Sequence, residues 1–96
     1  MHSSVDRSGA AQGLAEVLKA LGVERLTTMM ESFIAGTAAA SPAVREGHFM
    51  LFVYLPSTFV VDFQPFVGQV VPALLRGLAD VEEVVRDTAL KVSYFV

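Results

Sequence analysis

The sequence predicts an all-α fold, an α-solenoid of paired helices, and three observations carry that prediction. Apolar residues recur at three- and four-residue spacing along most of the chain, the rhythm of helices with one buried face. Turn-forming residues, Gly22, Pro42 and Pro56 among them, punctuate these stretches. Three arginines, each opening an apolar helical run, stand at nearly constant separation: 38 residues from Arg7 to Arg45 and 41 from Arg45 to Arg86. A period near 40 with two helices per unit is the mark of HEAT or armadillo repeats, roughly 40–47 residues each.

Each element has its own local justification. Residues 8–21 place Ala11, Leu14, Leu18 and Leu21 on one side and Glu16 and Lys19 on the other. Gly22 then stops the helix, because glycine accepts a left-handed backbone. A second helix, about 23–38, sets Leu26, Met30, Phe33 and Ile34 against Glu24, Arg25 and Glu31, and it breaks at the Ser41-Pro42 step. A third, from residue 42 or 43 to 55, is apolar nearly all round, ends at Pro56, and is expected to be the most enclosed. A fourth, 63–79, carries Phe63, Phe66, Val67, Val70, Val71, Leu74, Leu75 and Leu78 as one stripe. The fifth opens near Val81 and buries Val85, Ala89 and Val92.

The layout is five helices in about two and a half HEAT repeats within one segment, 1–96. A lone B-helix (8–21) is followed by two A–B pairs (23–56 and 63–96). No polar capping helix shows at either end, although solenoids need one. The expectation is a piece of a longer array, with neighbouring HEAT repeats of the same chain covering its apolar ends. Alone, such a chain is expected to self-associate.

Composition agrees and excludes several classes. Hydrophobic residues make up 53% and charged residues 18% of 96, with a mean hydropathy of +0.53, which excludes a disordered tail. The net charge of −3 is the wrong sign for a chain living on phosphate contacts, so direct sequence-specific nucleic-acid binding is not expected. The absence of cysteine removes disulfides and thiolate ligands. Residues 1–13 hold no apolar core of a signal peptide. Residues 49–61 and 63–75 are each thirteen long and uncharged. A spanning helix needs roughly 18 apolar residues, and Asp62 and three prolines interrupt these two, so no membrane partner is expected.

Catalytic constellations are not found. His2 and His48 are the two histidines, and Glu46 sits two residues from His48, off ligand spacing on a helix. Glu82, Glu83 and Asp87 open the fifth helix, where acids complement the helix dipole. Met29, Met30 and the phenylalanines at helical spacing read as core, not as a cofactor box. The chain is therefore expected to be no enzyme and to need no cofactor or metal. The residues singled out are Arg7, Arg45, Asp80 and Arg86, as a structural repeat ladder. Asp80 lies six residues before Arg86, whereas Ala39 and Met1 fill that place before Arg45 and Arg7. An aspartate there can accept from the arginine of its own or an adjoining repeat, and a planar guanidinium suits that task. Their shared repeat phase favours architecture over a phosphate-lined groove.

Several strings are more specific than the arginine spacing. Ala10-Ala11-Gln12-Gly13-Leu14-Ala15, then Tyr54-Leu55-Pro56, then Arg86-Asp87-Thr88-Ala89-Leu90 occur in that order. Over residues 3–90 the sequence strongly resembles the general control non-derepressible family, giant HEAT-repeat activators of the eIF-2-alpha kinase. That resemblance implies a cytoplasmic scaffold segment with protein partners, the ribosome and the translation kinase among them, acting in the response to amino-acid starvation. The family's kinase-binding region lies further towards the C-terminus, so no kinase-contacting residue carries over. The likeness lapses after Leu90, which leaves residues 91–96 outside the family's helix. A generic HEAT adaptor, of the transport-receptor or phosphatase-scaffold kind, would share the architecture but not the strings.

Overall fold

A computed structural model describes the backbone of residues 3–96 and the side chains of residues 8–96. Among the described residues there are five α-helices: α1 (Ser3–Leu21), α2 (Val23–Gly36), α3 (Pro42–Phe59), α4 (Val67–Leu78) and α5 (Glu83–Ser93). A 3-10 segment, Val60–Phe66, links α3 to α4. The all-helical expectation holds throughout.

Several boundaries differ from the sequence reading, each for a local reason. The first helix starts at Ser3 instead of residue 8, since no proline interrupts residues 3–8. The second stops at Gly36, not residue 38, because its last turn tightens: the Thr37 N–H and its hydroxyl both bond the Ile34 carbonyl, the latter at 2.6 Å. The third runs through Pro56 to Phe59. A proline this close to the end removes one backbone bond but leaves only three helical residues beyond it. Val60 then leaves the helix with φ 52°, an uncommon backbone for a β-branched residue that turns the chain out of α3.

The predicted fourth helix divides at Phe66. Pro65 has no N–H to give an α-helical bond, and residues 60–66 take the tighter 3-10 winding, with α4 starting at Val67. The fifth helix begins at Glu83 instead of Val81, because Glu82 is extended (φ −98°, ψ 127°) and serves as its N-cap. It also continues past Leu90 to Ser93, since Val92 completes the buried row begun by Val85 and Ala89.

α3 is the centre of the molecule. Phe49, Phe52 and Leu55 are fully buried, and α1, α2, α5 and the 3-10 segment all pack on this helix. Each such side chain contributes about 1.5–3 kcal/mol of burial free energy. α1 and α5 flank α3 to make one layer, while α2 and α4 meet each other in a second. Lys19, near the end of α1, donates to the Thr58 carbonyl near the end of α3 at 2.8 Å, so these two helices run the same way.

Two predicted stripes are only partly inside. α1 buries Ala11, Ala15 and Leu18, whereas Leu14 and Leu21 are exposed. Alanines at i and i+4 let the α1 backbone approach α3 closely, which turns the leucines outward. In α4, Val70, Ala73, Leu74 and Gly77 are buried, while Val71, Leu75 and Leu78 face out. Gly77 has a steric reason: a Cβ there would collide with the Phe49 ring.

By length and composition alone, the run Pro42–Leu78 is long and apolar enough to cross a membrane, which the two uncharged stretches taken separately are not. Its phenylalanines Phe49, Phe52, Phe59, Phe63 and Phe66 nevertheless lie in the shared core with α1, α2 and α5 residues.

Candidate functional site

The most organised polar arrangement forms where the heads of α3 and α5 meet. Ser41 opens α3 by accepting the Val44 N–H at 3.4 Å, with Pro42 in the first turn. Arg45 follows one turn into the helix. Asp80 sits in the loop between α4 and α5, where its Oδ1 accepts the Glu82 N–H at 2.9 Å and fixes the turn.

The two side chains meet as a planar pair. Arg45 Nε donates to Asp80 Oδ2 at 2.8 Å and Nη2 to Oδ1 at 3.0 Å. The remaining nitrogen, Nη1, donates to the carbonyls of Ala39 and Ala40 at 2.9 and 3.0 Å. Arg86 approaches from the other side and gives Nη1 to the Asp80 carbonyl at 2.7 Å. Asp80 is thus held by both arginines, through its carboxylate by Arg45 and through its backbone by Arg86. The side chains of Arg45 and Asp80 are 14% and 12% exposed.

This geometry sets the ionisation. The hydrogen bonds from Arg45 hold the Asp80 carboxyl below the usual carboxylate range, helped by the Glu82 N–H and the nearby Arg45 and Arg86 charges and opposed by desolvation. The bond to Asp80 correspondingly raises Arg45. The chemistry is that of a strap between chain segments: both charges are matched.

Of the four residues singled out in sequence, the structure brings Arg45, Asp80 and Arg86 together. Arg7, like His2, lies outside the described side chains. His48 packs against Gly36, where a Cβ would strike its ring, and its Nδ1 pairs with the Val44 carbonyl at 2.9 Å. Among the described residues no group of histidine, cysteine, aspartate and glutamate is placed to hold a metal.

The burial of one acid escaped the sequence reading. Glu46 is 1% exposed on the α3 face towards α5, where Thr88 Oγ1 lies 3.4 Å from its Oε2 and also bonds the Val84 carbonyl at 3.0 Å. The available signal was a single acid within an otherwise apolar helix, with a threonine in the facing row of α5. Apolar concavities also exist: a groove of about 300 Å³ between α1, α2 and α3 is lined by Leu14, Phe33, Val44, His48 and Leu51. Such an apolar surface suits contact with protein.

Comparison with characterised proteins locates the chain. It is 54% identical over 91 residues, 93% of its length, to the proteins named stalled ribosome sensor GCN1 in human and mouse. It is homologous to one short stretch of the GCN1 proteins. The eIF-2-alpha kinase activator GCN1 of Saccharomyces cerevisiae is 41% identical over 93 residues, 97% of the chain. Protein ILITYHIA of Arabidopsis thaliana is 43% identical over 88 residues. The chain spans about 3% of the length of the human and mouse GCN1 relatives. No family model and no solved structure matches it. The names of the GCN1 relatives describe activators and sensors, not enzymes.

Proposed function

We propose that this chain is a non-catalytic HEAT-repeat scaffold segment that acts within a ribosome-associated activator of the eIF-2-alpha kinase, in the cytoplasmic response to amino-acid starvation. The observation that carries this reading is near-full-length identity, at 41–54%, to proteins named for stalled-ribosome sensing and kinase activation. The fold supports it. α1, α3 and α5 stand in one layer and α2 and α4 in the other, as the B and A helices of about two and a half repeats would.

In this reading residues 1–96 form one segment, and Arg45, Asp80 and Arg86, with Arg7 at the same phase, are rungs of a structural ladder. The ribosome and the kinase are partners of the whole protein, which this stretch serves by fixing spacing and curvature. It needs no cofactor, and its net charge of −3 argues against direct sequence-specific contact with nucleic acid. The core packing of the run Pro42–Leu78 argues for a protein-facing role over a membrane one. A generic HEAT adaptor would share the layers but not the near-full-length identity.

The test is ribosome co-sedimentation of a long GCN1 array containing this stretch. Deleting it should reduce co-sedimentation, and an unrelated two-repeat HEAT segment of equal length should restore most of it. Full retention after deletion would overturn the reading.

A further inference from the structure

We propose that the open face of the layer formed by α1, α3 and α5 holds a groove that binds an extended acidic segment of a protein partner, one in which a carboxylate stands beside an apolar side chain. This site deepens the scaffold reading above by naming a ligand. Binding to the chain alone is read without ribosome or kinase, so the site can fail while the scaffold role stands.

The groove, of about 490 Å³, runs over α3 between α1 and α5. Met50 and Val53 of α3 make its apolar floor, Ser8 and Gly9 of α1 one wall, and Lys91 of α5 the other, with Tyr54 beside Ser8. Among the described residues, none from α2 or α4 lines it, so it opens on the side of the layer away from them. Helix pairs added to a longer array stand beside α1 and beside α5, in the same two layers, and leave this face uncovered.

The groove is furnished with donors. Ser8 Oγ and the Tyr54 hydroxyl lie 2.5 Å apart. One proton sits between the two oxygens, and the other hydroxyl proton is left to be given outward. Lys91 is exposed and has no acceptor or ion-pair partner among the described residues. Its ammonium carries donors only. Glu46 is the acid in the lining, but at 1% exposure it meets the Thr88 hydroxyl inside the layer and does not present its charge to the groove. Asp87, one turn before Lys91, lies outside the lining.

Charge selects the occupant. A nucleic-acid backbone needs a row of cations, whereas Lys91 is the cation of this groove and the chain carries −3 overall. A single carboxylate is matched by one ammonium and a hydroxyl. Its apolar neighbour in the same segment can lie on Met50 and Val53. Gly9 leaves room for the segment's backbone, since a Cβ built there meets nothing within 4 Å.

Fluorescence anisotropy of the 96-residue chain with a labelled peptide alternating aspartate and leucine tests the site. Saturable binding is expected, weaker by about tenfold for the matching asparagine–leucine peptide. Lys91→Gln should cost about tenfold and Tyr54→Phe about threefold in affinity. Gly9→Phe should abolish binding by filling the groove, while Leu75→Lys, on the exposed side of α4, should leave it unchanged. Lys91→Gln and Gly9→Phe should melt as the parent does, because Lys91 has no partner in the fold and the space over Gly9 is open. Should Gly9→Phe fail to fold, Lys91→Gln, which removes no contact, decides alone. Equal binding of the two peptides, indifference to Lys91→Gln, loss on Leu75→Lys, or no saturable binding to the parent would each overturn the site. Tighter binding of a single-stranded RNA of equal length would overturn it as well.

Discussion

Arg45 and Asp80 lie 35 residues apart in sequence and are joined by two side-by-side N–H···O bonds of 2.8 and 3.0 Å. The pair ties the head of α3 to the turn before α5, so each helix is placed by the other's unit. Asp80→Asn keeps the shape but loses the charge-assisted pairing. It should lower Tm by roughly 5 °C or more, measured by circular dichroism.

The same pair makes stability depend on acid. Asp80 is held below its unfolded value of about 3.9, so its contribution is present above that pH. That contribution is lost as pH falls from there through the depressed folded value. Arg45 is shifted upward and stays charged throughout, so it adds no slope in the accessible range. Urea midpoints measured from pH 6 down to pH 2 should fall more steeply for the parent than for Asp80→Asn. Parallel curves would remove Asp80 from the account.

Glycines should divide by what surrounds them. An added methyl at Gly77 meets the buried Phe49 ring and the Ala89 Cβ, whereas at Gly13, in the exposed middle of α1, it meets nothing. Gly77→Ala should therefore destabilise despite its gain in helix propensity, since overpacking costs about 1–3 kcal/mol. Gly13→Ala should stabilise by about 0.5–1 kcal/mol. Chemical denaturation of the two variants reads both signs.

The centre of α3 should be the least forgiving region. Phe49→Ala empties a fully buried ring site shared by α3, α4 and α5. A loss of about 3–5 kcal/mol is expected, enough to unfold a domain of this size or to leave it without a cooperative melt.

The uncovered apolar faces should drive association. Leu14, Val17 and Leu21 on α1, Leu90 on α5 and Tyr94 just after it are exposed on a chain of 96 residues. Sedimentation velocity should show mass increasing with concentration. Val17→Lys with Tyr94→Lys should return the chain towards monomer.

Much of this fold was legible because its helices carry strong periodic stripes. Leu26, Met30 and Phe33 in α2 and Val85, Ala89 and Val92 in α5 are buried as their spacing requires. Periodicity fails where helices come unusually close. Leu14 and Leu21 belong to the apolar stripe of α1, yet Ala15 takes the interior because a small side chain permits the approach to α3. It also fails at prolines, whose effect depends on position: Pro56 near a helix end is absorbed, while Pro65 accompanies a 3-10 segment. In the polar site, spacing drew attention to Asp80 but left open which arginine its carboxylate takes. That choice depends on how α3 and α5 pack, and one-dimensional spacing does not contain it. Glu46 was hidden for the same reason, since its burial is made by the facing row of α5.

The proposed scaffold role makes this stretch a coupled structural segment of a kinase activator. Grafting it in place of the matching 93-residue stretch of S. cerevisiae GCN1 tests that most directly. Phosphorylation of eIF-2-alpha on amino-acid starvation is then measured. The graft is expected to support the response, Arg45→Asp to weaken it, and Arg45→Asp with Asp80→Arg to restore it. A graft that stays folded and gives no response, where an unrelated HEAT spacer does, would contradict it.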